Sequence, residues 1–145
     1  MKKVMALPDL NQATHWINEP LDPSWINGKP LIIHFWSISC GHCLVSLPTL
    51  LAAREHFAGR LRMIAVHMPL SAADCDVPSI AAAAATERIT GPALIDNNRL
   101  LAAAFDNRYV PAYYLFNADH MLYEYHLGER GVDRIIRAAD RMLES

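Results

Sequence analysis

Leu31-Ile32-Ile33-His34-Phe35-Trp36-Ser37-Ile38-Ser39-Cys40-Gly41-His42-Cys43 is the stretch on which the reading of this chain turns. Leu31 to Trp36 is an apolar run broken only by His34, the pattern of a strand buried on both faces. Two cysteines separated by two residues follow, and then Leu44, Leu47 and Leu51 recur at helical spacing. The pair therefore stands at a strand-to-helix junction. Cys40 falls at the helix N-terminus, where unpaired N–H groups and the helix dipole favour an anion. A thiolate is the species that attacks a disulfide, so Cys40 is the expected nucleophile. Cys43, one turn further in, is placed to resolve the mixed disulfide, and Gly41 lets another chain approach closely. His42 either stabilises the Cys40 thiolate, making the disulfide more oxidising, or is a solvated loop histidine with no such effect.

Working outward, Pro48 lies inside the helix and is expected to kink it. Arg62 to His67 reads as a second apolar strand. Asp76 as N-cap and Pro78 in the first turn predict a helix to about Arg88. Ala93 to Ile95 reads as a short strand and Arg99 to Phe105 as a short helix. Ala112 to Phe116 and Leu122 to Leu127 read as two strands joined by a turn at Asn117 to His120. The apolar stripe Val132, Ile135, Ile136, Ala139, Met142 and Leu143 marks a final amphipathic helix. Before the first long strand, the segment through Trp16 and Ile17 suggests a short extended element or hairpin. Tyr113, Tyr114, Tyr123 and Tyr125 read as sheet packing. Strands alternating with helices, then a closing hairpin and helix, predict an α/β sandwich with a mixed central sheet and helices on both faces.

The 145 residues suffice for one domain, 1–145, with a substantial core. The net charge of −2, with scattered lysines and arginines, argues against nucleic acid as a partner. No apolar run approaches the roughly 18 residues that cross a bilayer, so no membrane association is expected. After Met1-Lys2-Lys3 the apolar stretch is only Val4 to Leu7, too short for a signal peptide, so the expected location is cytoplasmic.

Three cysteines with one close pair do not make a disulfide scaffold. The alternative to a redox pair is structural zinc, in a non-catalytic binding or docking module. That needs four ligands, and Cys75, His34 and His67 could join the pair only through the fold. Cys75 stands between Asp74 and Asp76, whose charges disfavour a thiolate, and reads as a spare reduced thiol. No peroxidase arrangement of threonine or serine with arginine surrounds the pair.

The segment His34 to Cys43, with Pro48 down the helix, resembles a thioredoxin-fold active site. The longer pattern resembles the TlpA/ResA-like branch. It comprises an N-terminal extension, Ile64-Ala65-Val66-His67-Met68-Pro69, an inserted helix-strand segment and Tyr109-Val110-Pro111-Ala112-Tyr113-Tyr114. It is most like the small bacterial YkuV-type members, which act in the cytosol without a membrane anchor. The resemblance implies a thioredoxin-like three-layer sandwich with an N-terminal extension and a TlpA-type central insertion. It implies thiol–disulfide exchange with protein substrates, most often in the reducing direction, with oxidation or isomerisation as the alternative. No metal or organic cofactor is required. An upstream dithiol reductant recharges the pair, and a monomer is the default. With His42, the potential is expected above thioredoxin's, toward that of disulfide isomerase.

The resemblance further implies a cis Val110–Pro111 bond facing the cysteines, with Val110 offering its main chain to an extended substrate. The other reading is an ordinary trans proline at a strand start. Trp36 is expected to cover the disulfide and help form the substrate-binding surface with Gly41 and Val110. Two departures stand out. His34 replaces the aspartate usual beneath the second cysteine, and Pro69, Leu70 and Ser71 stand where many ResA-like proteins have a glutamate. His34 is thus a candidate proton acceptor for Cys43, or else a satisfied core histidine.

Overall fold

A computed structural model describes residues 4–145, and Met1, Lys2 and Lys3, on which part of the signal-peptide reading rests, lie outside the described residues. The strands are β1 (His15–Ile17), β2 (Leu31–Trp36), β3 (Arg62–His67), β4 (Ala93–Ile95), β5 (Ala112–Phe116) and β6 (Leu122–Leu127). The helices are α1 (Pro23–Ile26), α2 (Gly41–Phe57), α3 (Val77–Thr86), α4 (Leu100–Phe105) and α5 (Gly131–Glu144). One mixed sheet runs β1-β4-β3-β2-β5-β6. β2, β3 and β4 are parallel, while β1 against β4, β5 against β2 and β6 against β5 are antiparallel.

β2 has neighbours on both edges and is buried along its whole length, as its unbroken apolar run requires. Its side chains alternate between two cores. Leu31, Ile33 and Phe35 join Ile64, Val66, Leu101 and Phe105 on the face covered by α1 and α4. Ile32 and Trp36 face the opposite way, toward α2, α3 and α5. Each large side chain so buried contributes roughly 1.5–3 kcal/mol. Phe35 meets Phe105 and Tyr114 edge-on, at centroid distances of 5.1 and 5.8 Å.

The predicted strands fall where their patterns placed them, and Asp76 caps α3 by accepting the Ser79 N–H. The segment ending at Ile17 is the edge strand β1. α3 ends at Thr86, short of Arg88, and α4 begins at Leu100. α2 continues through Pro48. Its buried face is Cys43, Leu47, Leu50, Ala53 and Phe57 rather than the Leu44-Leu47-Leu51 stripe. At about 100° per residue Leu44, Leu47, Leu50 and Leu51 span an arc of about 120°, and the buried side lies toward its Leu47–Leu50 edge, so periodicity alone chose the wrong edge of one apolar stripe. Tyr113 and Tyr114 are buried, but Tyr123 is exposed on the edge strand and does not pack as expected. α5 opens at Gly131, where an added Cβ would lie 3.2 Å from His126 main-chain atoms and from the Tyr113 ring. Gly131→Ala is therefore expected to lower stability by about 1 kcal/mol, read as a fall in the thermal midpoint.

Candidate active site

The β2 run ends at Trp36, and Ser37, Ile38 and Ser39 carry the chain to Cys40. Cys40 is the N-cap of α2. Its backbone is extended, and its sulfur accepts the Cys43 N–H at 3.2 Å. One of the helix's orphan donors is thus aimed at the sulfur, an arrangement that favours negative charge there. The cysteines are free thiols, with Cys40 8% exposed and Cys43 2%. Burial pushes the Cys43 thiol up, the contact with Cys40 adds to this, and the Ser37 main chain opposes it. The two sulfurs thus stand in unequal surroundings: Cys40 accepts a helix N–H, and burial favours the protonated form of Cys43.

Gly41 and His42 are exposed at the start of α2. His42 Nδ1 lies 3.3 Å from Glu129 Oε2, on the turn between β6 and α5. The Val110–Pro111 bond is cis. Pro111 is buried, while Val110 is half-buried and packs against the apolar cluster containing both cysteines. Trp36 packs in that cluster too, but with 0% exposure it has no surface to offer a substrate. Its expected place among the substrate-binding positions is corrected accordingly: it is a core side chain that meets His67 edge-on at 5.1 Å.

His34 lies on the helix-α2 side of the sheet, stacked on Tyr113 with centroids 6.0 Å apart. Its Nε2 is buried and has no hydrogen-bond partner among the described residues. Burial pushes its imidazole down to about 4. A base that weak is poorly matched to a thiol pushed up by burial, and with Nε2 unpartnered among the described residues the ring is not a satisfied core histidine either.

A carboxylate does stand beneath the cysteine loop, supplied from a place the sequence reading passed over. Asp74 is buried, and its Oδ2 accepts the Ser39 hydroxyl at 2.7 Å, the Leu70 N–H at 2.9 Å and the Ser37 hydroxyl at 3.1 Å. Burial alone would raise this carboxyl, but those three bonds, with His67, hold it below its ordinary value. His67, also buried, accepts the Ile38 N–H on Nε2 at 3.2 Å. Burial pushes it down to about 4 against the pull of Asp74. Cys75 is half-buried on the short turn that follows Ser71, and Asp76 beside it caps α3 by accepting the Ser79 N–H. Asn107 was also missed. It donates to the Tyr109 carbonyl at 2.9 Å and accepts the Tyr114 hydroxyl at 2.9 Å, framing the segment that leads to Val110. Among the described residues, no three His, Cys, Asp or Glu side chains gather as metal ligands, so Cys75, His34 and His67 do not complete a zinc site with the pair. No described helix is long and apolar enough to cross a membrane.

No protein-family model matches the chain. It is similar to the thiol-disulfide oxidoreductase YkuV of Bacillus subtilis (strain 168), with 37% identity over 144 residues, covering 99% of this chain and 97% of that protein. Its structure is similar to the solution structure of a thioredoxin-like protein in the oxidized form. That likeness has a TM-score of 0.88 at 36% identity, covering 99% of this chain and 98% of the other. The crystal structure of the thioredoxin-like superfamily protein SPOA0173 superposes with a TM-score of 0.83, covering 97% of each chain, and at 21% identity it speaks to the fold alone.

Proposed function

The chain belongs to the thioredoxin-like thiol–disulfide oxidoreductases, and on that premise we propose that it acts in the cytoplasm, as a single-domain monomer, reducing disulfides of protein clients. The observation that carries the assignment of roles is the Cys43 N–H directed at Cys40 Sγ at 3.2 Å, with Cys43 itself buried. The Cys40 thiolate attacks one sulfur of a client disulfide. A Cys40–client disulfide forms, and the other client sulfur leaves as thiolate and takes a proton from water. Cys43 loses its proton and attacks Cys40 Sγ. The Cys40–Cys43 bond forms, the client's second sulfur departs as a thiolate and is protonated, and two electrons have passed to the client. A dithiol reductant then returns the pair to the reduced state. Gly41 and Val110, at the exposed rim of the pair, are the proposed client contacts, with Pro111 fixing the start of β5 beside them.

The direction is supported by the surroundings of His42. A protonated His42 would favour the Cys40 thiolate and a more oxidising pair, but Glu129 faces the imidazole at 3.3 Å and offsets that charge. Both side chains are largely exposed, so the balance is modest and salt-dependent. The proposed potential therefore lies nearer thioredoxin's than the His42 reading alone suggests. A reductase also needs the reducing thiol pool of the cytoplasm to recharge it. The test is to quench growing cells in acid, alkylate free thiols and read the pair by mass. A mostly reduced pair supports the reductase, whereas a mostly disulfide pair assigns the chain to oxidation or isomerisation.

A further inference from the structure

The turn that delivers Cys40 is anchored at each of the three residues before it. The Cys40 N–H donates to the Ser37 carbonyl at 3.1 Å, which closes residues 37–40 into a turn at the end of β2. The Ser37 and Ser39 hydroxyls both donate to Asp74 Oδ2, at 3.1 and 2.7 Å. The Ile38 N–H between them donates to His67 Nε2 at 3.2 Å. Both anchors come from the neighbouring part of the chain. His67 ends β3 in register with Trp36, and Asp74 lies on the short turn Ala72–Cys75 that follows. The third bond on Asp74 Oδ2, from the Leu70 N–H at 2.9 Å, ties the carboxylate to its own segment. Asp74 is buried, and bonds to a charged acceptor are stronger than neutral ones, so three donors on one oxygen make a stiff anchor. What it holds is the backbone from which the Cys40 sulfur projects, and that sulfur accepts the Cys43 N–H at 3.2 Å.

We propose that Asp74 is a positioning residue for the first attack: through Ser37 and Ser39 it fixes the turn whose Ser37 carbonyl holds the Cys40 N–H, and so keeps the Cys40 sulfur on the N–H of Cys43. This rests on the reading of Cys40 as the attacking cysteine. The hydrogen bonds of Asp74 go to the two serines and Leu70 rather than to a sulfur, so it acts through the turn. Without the carboxylate the turn keeps its Ser37–Cys40 bond but loses both side-chain ties. Cys40 then spends time off the Cys43 N–H, where nothing favours its thiolate, and the attack slows because the nucleophile is held less well.

The experiment isolates that step in the full chain carrying Cys43→Ser and Cys75→Ser, which leaves Cys40 as the only thiol and keeps the main-chain N–H at 43. The probe is glutathione disulfide. Cys40 thiolate attacks one sulfur, a Cys40–glutathione bond forms, and the other glutathione leaves as thiolate. Acid quench and intact mass give the rate. For Asp74→Ala the attack is expected to slow about tenfold. Asp74→Asn, whose Oδ1 can still accept a serine hydroxyl, should recover about threefold of that loss. Ser39→Ala, which removes the 2.7 Å bond, should slow the attack about threefold alone and add nothing in the Asp74→Ala protein, since both open the same tie. If Asp74→Ala lowers the thermal midpoint but attacks within about twofold of the parent, the anchor is only structural and the proposal is wrong. It is equally overturned if Asp74→Asn is no faster than Asp74→Ala, or if the Ser39 and Asp74 effects multiply. Should Asp74→Ala not fold, Ser39→Ala decides, an unchanged attack rate overturning the proposal. A parent that forms no glutathione adduct fails the reading of Cys40 as nucleophile, and the anchor with it. That result is distinct from failure of the anchor alone, in which the parent reacts and the variants match it.

Discussion

Cys43→Ser turns the protein into a trap: turnover of protein disulfides falls at least about a hundredfold, and a Cys40–client mixed disulfide accumulates. The reason lies in the unequal surroundings of the two sulfurs. Cys40 caps α2 and accepts an N–H, so it attacks whether or not residue 43 carries a sulfur. Cys43 is almost completely enclosed, and its thiol is pushed up by burial, so the role proposed for it is to displace the client from Cys40. A serine hydroxyl at 43 is far too weak a nucleophile for that displacement. Non-reducing electrophoresis and intact mass should show an adduct that disappears on adding dithiothreitol. In Cys40→Ser neither adduct nor turnover is expected. An adduct that persists in Cys40→Ser and vanishes in Cys43→Ser would reverse the two roles.

Folding stability should fall steeply between about pH 6.5 and pH 4, which is the second large effect. His34 and His67 are both buried, and burial pushes each imidazole down to about 4. In the unfolded chain each titrates near 6.5. Below that pH the unfolded state binds protons that the folded state refuses, so stability is present in full above about 6.5 and is lost as pH falls toward 4. Each histidine can account for up to about 3 kcal/mol of that loss. Buried Asp96, pushed up by desolvation, works the other way. Asp74 is held down and adds to the loss at the acid end. Urea unfolding from pH 7 to pH 4 should show the decline. His34→Phe, which keeps a flat ring against Tyr113, should remove roughly half of it. A parent whose stability is flat across this range would contradict the buried-histidine account.

The strands and the place of the cysteine pair were legible because each rests on local pattern. Leu31 to Trp36 has only one neutral polar interruption, and the pair follows it before a leucine-rich turn. The site's support was less legible because it is built across the sheet. Asp74 sits 31 residues beyond Cys43, beside a cysteine and close to a second aspartate that caps α3, so nothing local distinguishes it. Only the parallel pairing of β2 with β3 brings the segment after His67 under Ser37 and Ser39. Glu129 reaches His42 from the turn before α5, again through the fold. His34 shows the reverse case. Its residue type raised a proton-transfer role, whereas burial on the strand pushes the imidazole down to about 4 and makes it a weak base for that work. Trp36 was placed in the right neighbourhood, but a strand residue buried on both sides has no face left for a client.

The account stands or falls on a two-electron couple between Cys40 and Cys43. Its most direct test is equilibration of the Cys75→Ser protein in glutathione or dithiothreitol buffers, with the fraction of disulfide read by alkylation and mass. The prediction is one two-electron transition near thioredoxin's potential, about −270 mV. A transition near about −180 mV would contradict the reducing direction, and no transition at all would contradict the assignment of these two cysteines as the redox centre.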